Sequence, residues 1–512
     1  MKNVLEYLEQ SAKMYPDKIA VKDAACSYTY EQLQNKAKCI GACLAKQTTP
    51  RHPVCVFADK SADTLAVFFG IVYAGCFYTL VDPSFPEARI QSMLSVLQPD
   101  VIVDGSDASE KLTACGYTEN VVRMETLTQG MDSECTGSDE NQLQQIRESM
   151  IDTDPLYCNF TSGSTGTPKG VLVAHRSVLE FIDRFTEIFD ITEADVIGNQ
   201  APFDFDVSVK DIYSGLFTGA RVEIVPTAYF TNPTKLMDFL CDRGATLMVW
   251  AVSALCFLTT MNALAYKTPT TLRAILFSGE VMPIKHLHKL QKYLPGVQYV
   301  NLYGPTEITC NCTYYIVDRE FAENETLPIG VPFKNERILL LTPDGGEAVK
   351  DGEIGELCVS GTSVALGYYK DAERTAACFT QNPLNHAYLE PIYRTGDLVK
   401  VNERGEMVYV SRKDFQIKHM GHRVELGEIE AAAMRCDAVT RACCTFDAER
   451  QRLHLFYTGS CEKAALLAAL KESLPPFMQP NTAVQLDEMP LNKNGKIDRT
   501  ALAALTKKGA HK

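Results

Sequence analysis

The densest concentration of ligand-handling side chains is Asn159-Phe160-Thr161-Ser162-Gly163-Ser164-Thr165-Gly166-Thr167-Pro168-Lys169-Gly170. Glycine lets a backbone take positive φ and come close to a ligand. Successive N–H groups in such a turn form a concave nest for an anion. Three Thr and two Ser hydroxyls add donors, and Lys169 adds a fixed positive charge. Together they make a grip for a polyphosphate. A Walker A loop is a different object, because its Lys is followed by Ser or Thr and opens a helix. Here Lys169 is followed by Gly170 and the strand-like Val171-Leu172-Val173. A flexible linker is the bland alternative, but linkers are not Thr-rich, Lys-terminated and framed by apolar strands.

A second stretch, Asn199 to Tyr213, places Asp206 between apolar neighbours where a helix would begin, after an extended approach through Phe203, Phe205 and Val207. A half-desolvated carboxylate must be paired, so it would hold a ligand ammonium strongly. It is equally readable as a helix N-cap. Asp204 and Asp211 read as surface or capping residues. Ser278-Gly279-Glu280 and Asn301-Leu302-Tyr303-Gly304-Pro305-Thr306-Glu307 each follow an apolar strand, Ala274 to Phe277 and Val297 to Val300. Open α/β sheets bind ligands at those strand ends. No Ser/His/Asp triad and no metal-ligand spacing competes. Of nine His, only His175 lies near a motif, and a structural role is its default reading.

The elements that must position these groups are legible as βα alternation. Ser27 to Leu33 is a strand leading into a helix, and Val54 to Phe57 and Asp100 to Asp104 are buried strands. Such alternation calls for parallel sheets flanked by helices. Met1 to Lys18 reads as an amphipathic helix with Val4, Leu5, Leu8 and Ala12 on one side, with no signal-peptide core. Residues 126–154 are polar and read as a surface loop or crossing segment. Two uncharged runs, Thr64 to Val81 and Gly244 to Tyr266, reach the length of a membrane span. The first reads better as helix, turn and buried strand, and the second as a strand turning helical, so no membrane insertion is expected. A chain of 512 residues should hold more than one domain. Its hydrophobic fraction of 46% suffices for a large core, and its net charge of −14 argues against a nucleic-acid partner. Eighteen Cys without a C-x-x-C pair exclude zinc and disulfide frameworks and fit a reducing cytoplasm.

The strings Asn159 to Gly170, Asn301 to Glu307, Tyr393-Arg394-Thr395-Gly396-Asp397 and Ser411 to Lys418 resemble the phosphate loop, adenine motif, ribose motif and hinge of the adenylate-forming ligases. That superfamily holds acyl-CoA synthetases, luciferases, adenylation domains of nonribosomal peptide synthetases, and D-alanine–D-alanyl carrier protein ligases. The resemblance covers nearly the whole chain; one departure is Ser411, where most relatives have Gly. It implies an α/β fold with a large N-terminal domain of mixed and parallel sheets flanked by helices, plus a β-rich part (including Gly355 to Gly361 and Gly367 to Tyr369). A small mobile α+β C-terminal domain follows. The domains would be 1–412 and 413–512, pivoting at Asp414, with the small domain opening at Gly421-His422-Arg423.

By the same resemblance, ATP would be bound by Thr161, Ser162, Gly163, Ser164, Thr165, Gly166, Thr167, Lys169, Gly279, Glu280, Asn301, Tyr303, Gly304, Thr306, Asp397 and Arg412. Tyr303 would offer its face to the purine, Asn301 would read its amine, Thr306 would face phosphate, and Asp397, at the tip of a Gly turn, would accept the ribose hydroxyls. Glu307 would ligate Mg²⁺, a hard cation that prefers oxygen. Lys496, with Thr161, Lys169 and Glu307, would be catalytic, although its Asn-Gly surroundings look like solvated surface. A mobile loop that enters the site on closure reconciles the two. The implied reaction joins a carboxylate to the α-phosphate of ATP with release of pyrophosphate, then transfers the acyl group to the phosphopantetheine thiol of an acyl carrier protein.

The substrate pocket implied is Asp206, Val207, Lys210, Ala251, Leu276, Ser278, Leu302, Cys310 and Asn311, with Lys496 at the carboxylate end. In the family an Asp at the position of Asp206 binds an amino acid's α-amine. The string around it most resembles D-alanyl carrier protein ligases, so D-alanine is the simplest substrate. Lys210 is the anomaly, since an alanine pocket has no use for a cation. Either it snorkels away, or the substrate is an amino acid with an acid or hydroxyl side chain (Ser, Glu or Asp). An acyl-CoA ligase and a non-catalytic nucleotide-binding protein are the rival readings.

Overall fold

The computed structural model describes the chain except residues 129–136, 164–166, 344, 348–351, 414–415, 449, 492–496 and 509–512. Two large sheets carry the site. In the first, the strands Val121–Arg123, Val101–Asp104, Pro53–Phe57, Phe77–Val81 and Pro155–Thr161 run parallel in that spatial order. Lys169–Ala174 and then Gly367–Tyr368 add antiparallel at the far edge. In the second, Gln298–Tyr303, Ala274–Ser278, Leu247–Ala251, Val196–Asn199, Arg221–Ile224 and Ile19–Lys22 are parallel neighbours, with antiparallel strands at both edges. The central strands are buried on both faces, which is why they read as uninterrupted apolar runs.

Helices fill the space between these sheets. Leu5–Met14, Tyr30–Leu44, Ala62–Tyr73, His175–Ile188 and Val207–Thr218 contribute side chains to one continuous hydrophobic core with strands of both. The contact between Tyr30–Leu44 and Ala62–Tyr73 is close enough that a Cβ on Gly70 would lie 2.4 Å from Ile40 Cγ2. Both uncharged runs resolve as read: helix Ala62–Tyr73 then strand Phe77–Val81, and strand Leu247–Ala251 then helix Val252–Thr260. No helix among the described residues is long and apolar enough to cross a membrane.

An antiparallel sheet of Glu336–Leu341, Ile354–Gly361, Pro391–Val401, Phe379–Gln381 and Met407–Arg412 forms the β-rich part. The chain then makes a short hairpin, Gln416–His419 with His422–Glu425, and a three-stranded sheet, Val439–Asp447, Arg452–Gly459 and Thr482–Gln485. Helices Leu426–Met434 and Lys463–Ser473 pack on that sheet around a core of their own, including Ile429, Leu455, Tyr457 and Leu466.

Several readings are corrected. The polar segment after Thr126 contains the helix Gly137–Ser149, not a loop. Leu143, Ile146 and Met150 recur at helical spacing, and that narrow stripe is enough to dock it. The approach to Asp206 is a run of turns, not extended chain. Asp211 is fully buried, not at the surface. Asn301 to Tyr303 and Ser278 lie within their strands, not after them. Asp397 sits at a bulge inside the strand Pro391–Val401, with Gly396 at φ +73°, not at a hairpin tip. His175 is structural as read: it is fully buried, accepts the Val4 N–H at Nδ1, and burial pushes its ring down to about 3.

Candidate functional site

The Ser/Thr/Gly loop joins two antiparallel strands, and its ends are a register pair, Thr161 opposite Lys169. A Cβ on Gly163 would lie 2.0 Å from the Thr167 carbonyl oxygen, so the loop closes on itself only with glycine there. Ser164, Thr165 and Gly166 lie outside the described residues, and Thr167 is exposed. Thr161 Oγ1 is buried without a hydrogen-bond partner among the described residues, an orphan polar atom of the kind a ligand satisfies. Lys169 Nζ lies 3.3 Å from Glu307 Oε1 and 4.9 Å from the centre of the Tyr368 ring. The Tyr368 hydroxyl donates to Glu307 Oε1 at 2.7 Å, and Arg423 Nη1 reaches Glu307 Oε2 at 2.6 Å. Burial pushes the Glu307 carboxyl up, but the Arg423 and Lys169 cations outweigh it and hold it far below the usual carboxylate range. It is a permanent buried anion ringed by donors.

The adjoining strand ends bring the expected nucleotide residues together. Asn301 and Tyr303 are buried, and Asn301 Nδ2 donates to the Pro328 carbonyl at 2.8 Å. That turns its carbonyl oxygen into the end suited to an exocyclic amine. The Tyr303 hydroxyl and Arg412 Nη1 donate to the two oxygens of Asp397. Gly304 packs so closely that a Cβ would meet Asn311 Cα at 2.4 Å, tying the end of strand Gln298–Tyr303 to Asn311. Gly279, at φ +98°, turns the chain after Ser278. Glu280 instead engages the small hairpin, accepting the Gly421 N–H at 2.9 Å.

Asp206, Val207, Lys210, Ala251, Leu276, Ser278, Leu302, Cys310 and Asn311 are all buried. Register explains part of the convergence, since Ala251 lies opposite Ser278 on adjacent parallel strands. Asp206 occupies the N-cap position of Val207–Thr218, but its side chain makes no capping bond, so the cap reading fails. Burial pushes its carboxyl up, while the Lys210 charge and the Thr306 hydroxyl pull the other way. Lys210 does not snorkel. It is fully buried, with Nζ donating to Asn311 Oδ1 at 2.6 Å and reaching Ser278 Oγ at 3.5 Å. Burial lowers its pKa, against the pull of the Cys310 thiolate form, Asp206 and Asp211.

Behind the pocket, Asn199 Nδ2 donates to Asp211 Oδ2 at 2.8 Å, and Asp211 Oδ1 has no partner among the described residues. Burial pushes this carboxyl up to about 7, with Asn199, Lys210 and Lys60 opposing. Between about pH 4 and 7 the native chain keeps a proton here that the unfolded chain has lost, so this group's contribution to stability falls as pH rises through 7. Asp211→Asn should remove that fall, on the order of 4 kcal/mol between about pH 4 and 7 and only about 1 kcal/mol of it above pH 6. Calorimetric melts of both proteins across that range check it, and parallel curves would rule it out.

Reasoning from sequence missed the hairpin 416–425 as part of the site. Besides Arg423 on Glu307, it brings Lys418 Nζ to 5.8 Å from the Tyr303 ring centre, and the Arg423 carbonyl accepts the Ser162 hydroxyl at 2.8 Å. The available signal was Lys418 and Arg423 flanking a Met-Gly turn. Arg89 pairs with Glu428 at 2.7 Å across the same seam, both almost fully buried. Beside the hairpin lies a small cleft of about 40 Å³, open to solvent, lined by Thr161, Ser162, Asp204, Phe205, His422 and Phe477 among others. Lys496 and Asp414 lie outside the described residues. Among the described residues no group of three or more His, Cys, Asp or Glu could hold a metal ion.

The family model described as AMP-binding enzyme matches residues 8–369, and that described as AMP-binding enzyme C-terminal domain matches residues 428–496. An L-proline–[L-prolyl-carrier protein] ligase of Streptomyces coelicolor is 34% identical over 491 residues, covering 92% of this chain and 90% of the relative. Bacitracin synthase 1 of Bacillus licheniformis is 32% identical over 98% of this chain, which spans only 9% of that relative's length. The solved adenylation domain AlmE of Vibrio cholerae, in complex with glycyl-adenosine-5'-phosphate, superposes with a TM-score of 0.85 over 100% of this chain and 98% of its own, at 21% identity.

Proposed function

The chain belongs to the AMP-binding enzyme family, and on that premise we propose that it activates an α-amino acid with ATP and passes it to a carrier-protein thiol. The first step forms aminoacyl-AMP and pyrophosphate; the second forms a thioester with phosphopantetheine. The observation that carries the reading is Asp206, buried at a helix N-cap position without making the capping bond, with Lys210, Thr306 and Glu307 as its electrostatic neighbours. Asp206 grips the ammonium, and the pocket thereby turns the carboxylate toward the phosphate grip. Little covalent chemistry falls to the protein, which aligns two reactants and neutralises charge at phosphorus. Thr161, Lys169 and the loop between them take the pyrophosphate, Tyr303 the purine, and Asp397 with Arg412 the ribose.

A buried carboxylate such as Glu307 fits Mg²⁺, which is commonly held by one or two carboxylates plus substrate phosphates. Bound there, the ion would neutralise phosphate charge, and Arg423 would have to give up its contact. The hairpin therefore divides the reaction. With Arg423 on Glu307 and Lys418 over Tyr303, residues of the hairpin line the proposed nucleotide end, an arrangement that suits the second step. Rotation about Asp414 exchanges the hairpin for Lys496, which bridges carboxylate and α-phosphate in the first step. The many free thiols among the described residues support a reducing compartment, the cytoplasm.

The side-chain end of the pocket supports a hydroxyl- or carboxylate-bearing amino acid over D-alanine. A buried, enclosed Lys210 beside Asn311 and Ser278 offers a charge and hydrogen bonds that a methyl group cannot use. Amino-acid-dependent pyrophosphate exchange across a panel tests this. Strongest exchange is expected with Ser, Asp or Glu; strongest exchange with D-alanine would overturn the side-chain reading, and exchange with none would overturn the whole. Lys210→Met should lower kcat/KM for the preferred amino acid by about 10- to 150-fold, the value of a hydrogen bond to a charged group.

A further inference from the structure

The cleft beside the hairpin contains a carboxylate that the activation step leaves unused. Resting on the functional reading above, we infer that Asp204 is the proton acceptor for the attacking thiol in the second half-reaction. Asp204 lines the cleft together with Thr161 of the phosphate grip, and stands two residues before Asp206. It thus shares a solvent-open cleft with a residue of the proposed phosphate site. Its Oδ1 is buried without a hydrogen-bond partner among the described residues. Burial and the nearby Asp82 charge push the carboxyl up to about 7, with Arg89 opposing. That is where a general base works best near neutral pH.

The other charged groups around the cleft are committed or poorly suited. Arg89 is paired with Glu428, and Arg423 with Glu307. The His422 ring is stacked on Phe477 at 3.8 Å, and burial pushes it down to about 4. It is neutral but a weak base. An alkyl thiol has a pKa of about 8.5, so at pH 7 only a few per cent is thiolate and a base in the cleft adds rate. In the step, the S–H bond breaks and the proton moves to the Asp204 carboxylate. A C–S bond forms at the acyl carbon, and the C–O bond to AMP breaks with its electron pair on the phosphate oxygen. Asp204 then returns the proton to solvent through the open cleft.

The test is single-turnover transfer from enzyme-bound aminoacyl-AMP to D-pantetheine, with pyrophosphate exchange measured on the same preparations. Asp204→Asn is expected to lower transfer at least about 10²-fold relative to exchange. It should also erase an inflection near pH 7 from the transfer rate. Asp204→Glu should keep that inflection, and an aromatic thiol, already thiolate at pH 7, should narrow the gap between Asn variant and wild type. Transfer at the wild-type rate, a persistent inflection in the Asn variant, or equal loss of exchange and transfer would overturn the assignment. A wild-type protein that supports no exchange would instead remove the functional reading itself.

Discussion

Asp206→Ala is expected to lower amino-acid-dependent pyrophosphate exchange by about 30- to 4,000-fold. Truncating one partner of a buried, hydrogen-bonded charge pair costs roughly 2–5 kcal/mol, and every 1.4 kcal/mol is tenfold. On the proposed reading the charge lost here is the counter-ion for the substrate's ammonium, and the variant also removes one of the anions that favour the charged form of buried Lys210. The effect should therefore fall on the amino acid's kcat/KM and spare the KM for ATP. Because burial raises the Asp206 carboxyl, wild-type capture should strengthen as pH rises through its ionisation, and the variant should lose that dependence. A ligase for fatty or aryl acids has no cation to bind. If Asp206→Ala leaves activation intact, that rival is correct and the amino-acid reading is not.

Lys496→Ala should separate the two half-reactions. Exchange is expected to fall by about 10²–10³, the usual loss when one preorganised cationic or hydrogen-bonding group is withdrawn from developing charge. Transfer from chemically supplied aminoacyl-AMP to a pantetheine thiol should persist, because the proposed exchange has the hairpin take the place of Lys496 in that step. The structure supports the separation through Arg423, whose contact with Glu307 commits the hairpin to the nucleotide end. Equal loss of exchange and transfer would mean that Lys496 serves both steps and that the exchange of hairpin for lysine is wrong.

Elements with strong local signals were legible in the chain alone. The apolar runs became buried strands, the Leu5–Met14 helix docked on the expected side chains, and the Ser/Thr/Gly loop formed between strands. These depend on composition and periodicity, which neighbouring residues set. The helix Gly137–Ser149 was missed because its apolar stripe is thin and its surroundings polar. Asp397 was read at a turn tip because Arg-Thr-Gly-Asp looks like one, whereas pairing with two neighbouring strands holds it in a bulge.

What the residue order determined by itself was the chemical inventory: a Ser/Thr/Gly loop ending in a lysine, a lone acid before a helix, and acidic and aromatic groups at strand ends. What only the folded chain decided was company. Lys210 has no local feature that distinguishes a snorkelling side chain from an enclosed one; Asn311, 101 positions away, holds it in the pocket. Glu307 meets Arg423 across 116 positions. Such pairings arise from strand order and from how the 416–425 hairpin seats against the larger sheets. Burial then sets the protonation of each carboxylate and amine. Desolvation is a property of the packed whole, so no window of sequence contains it.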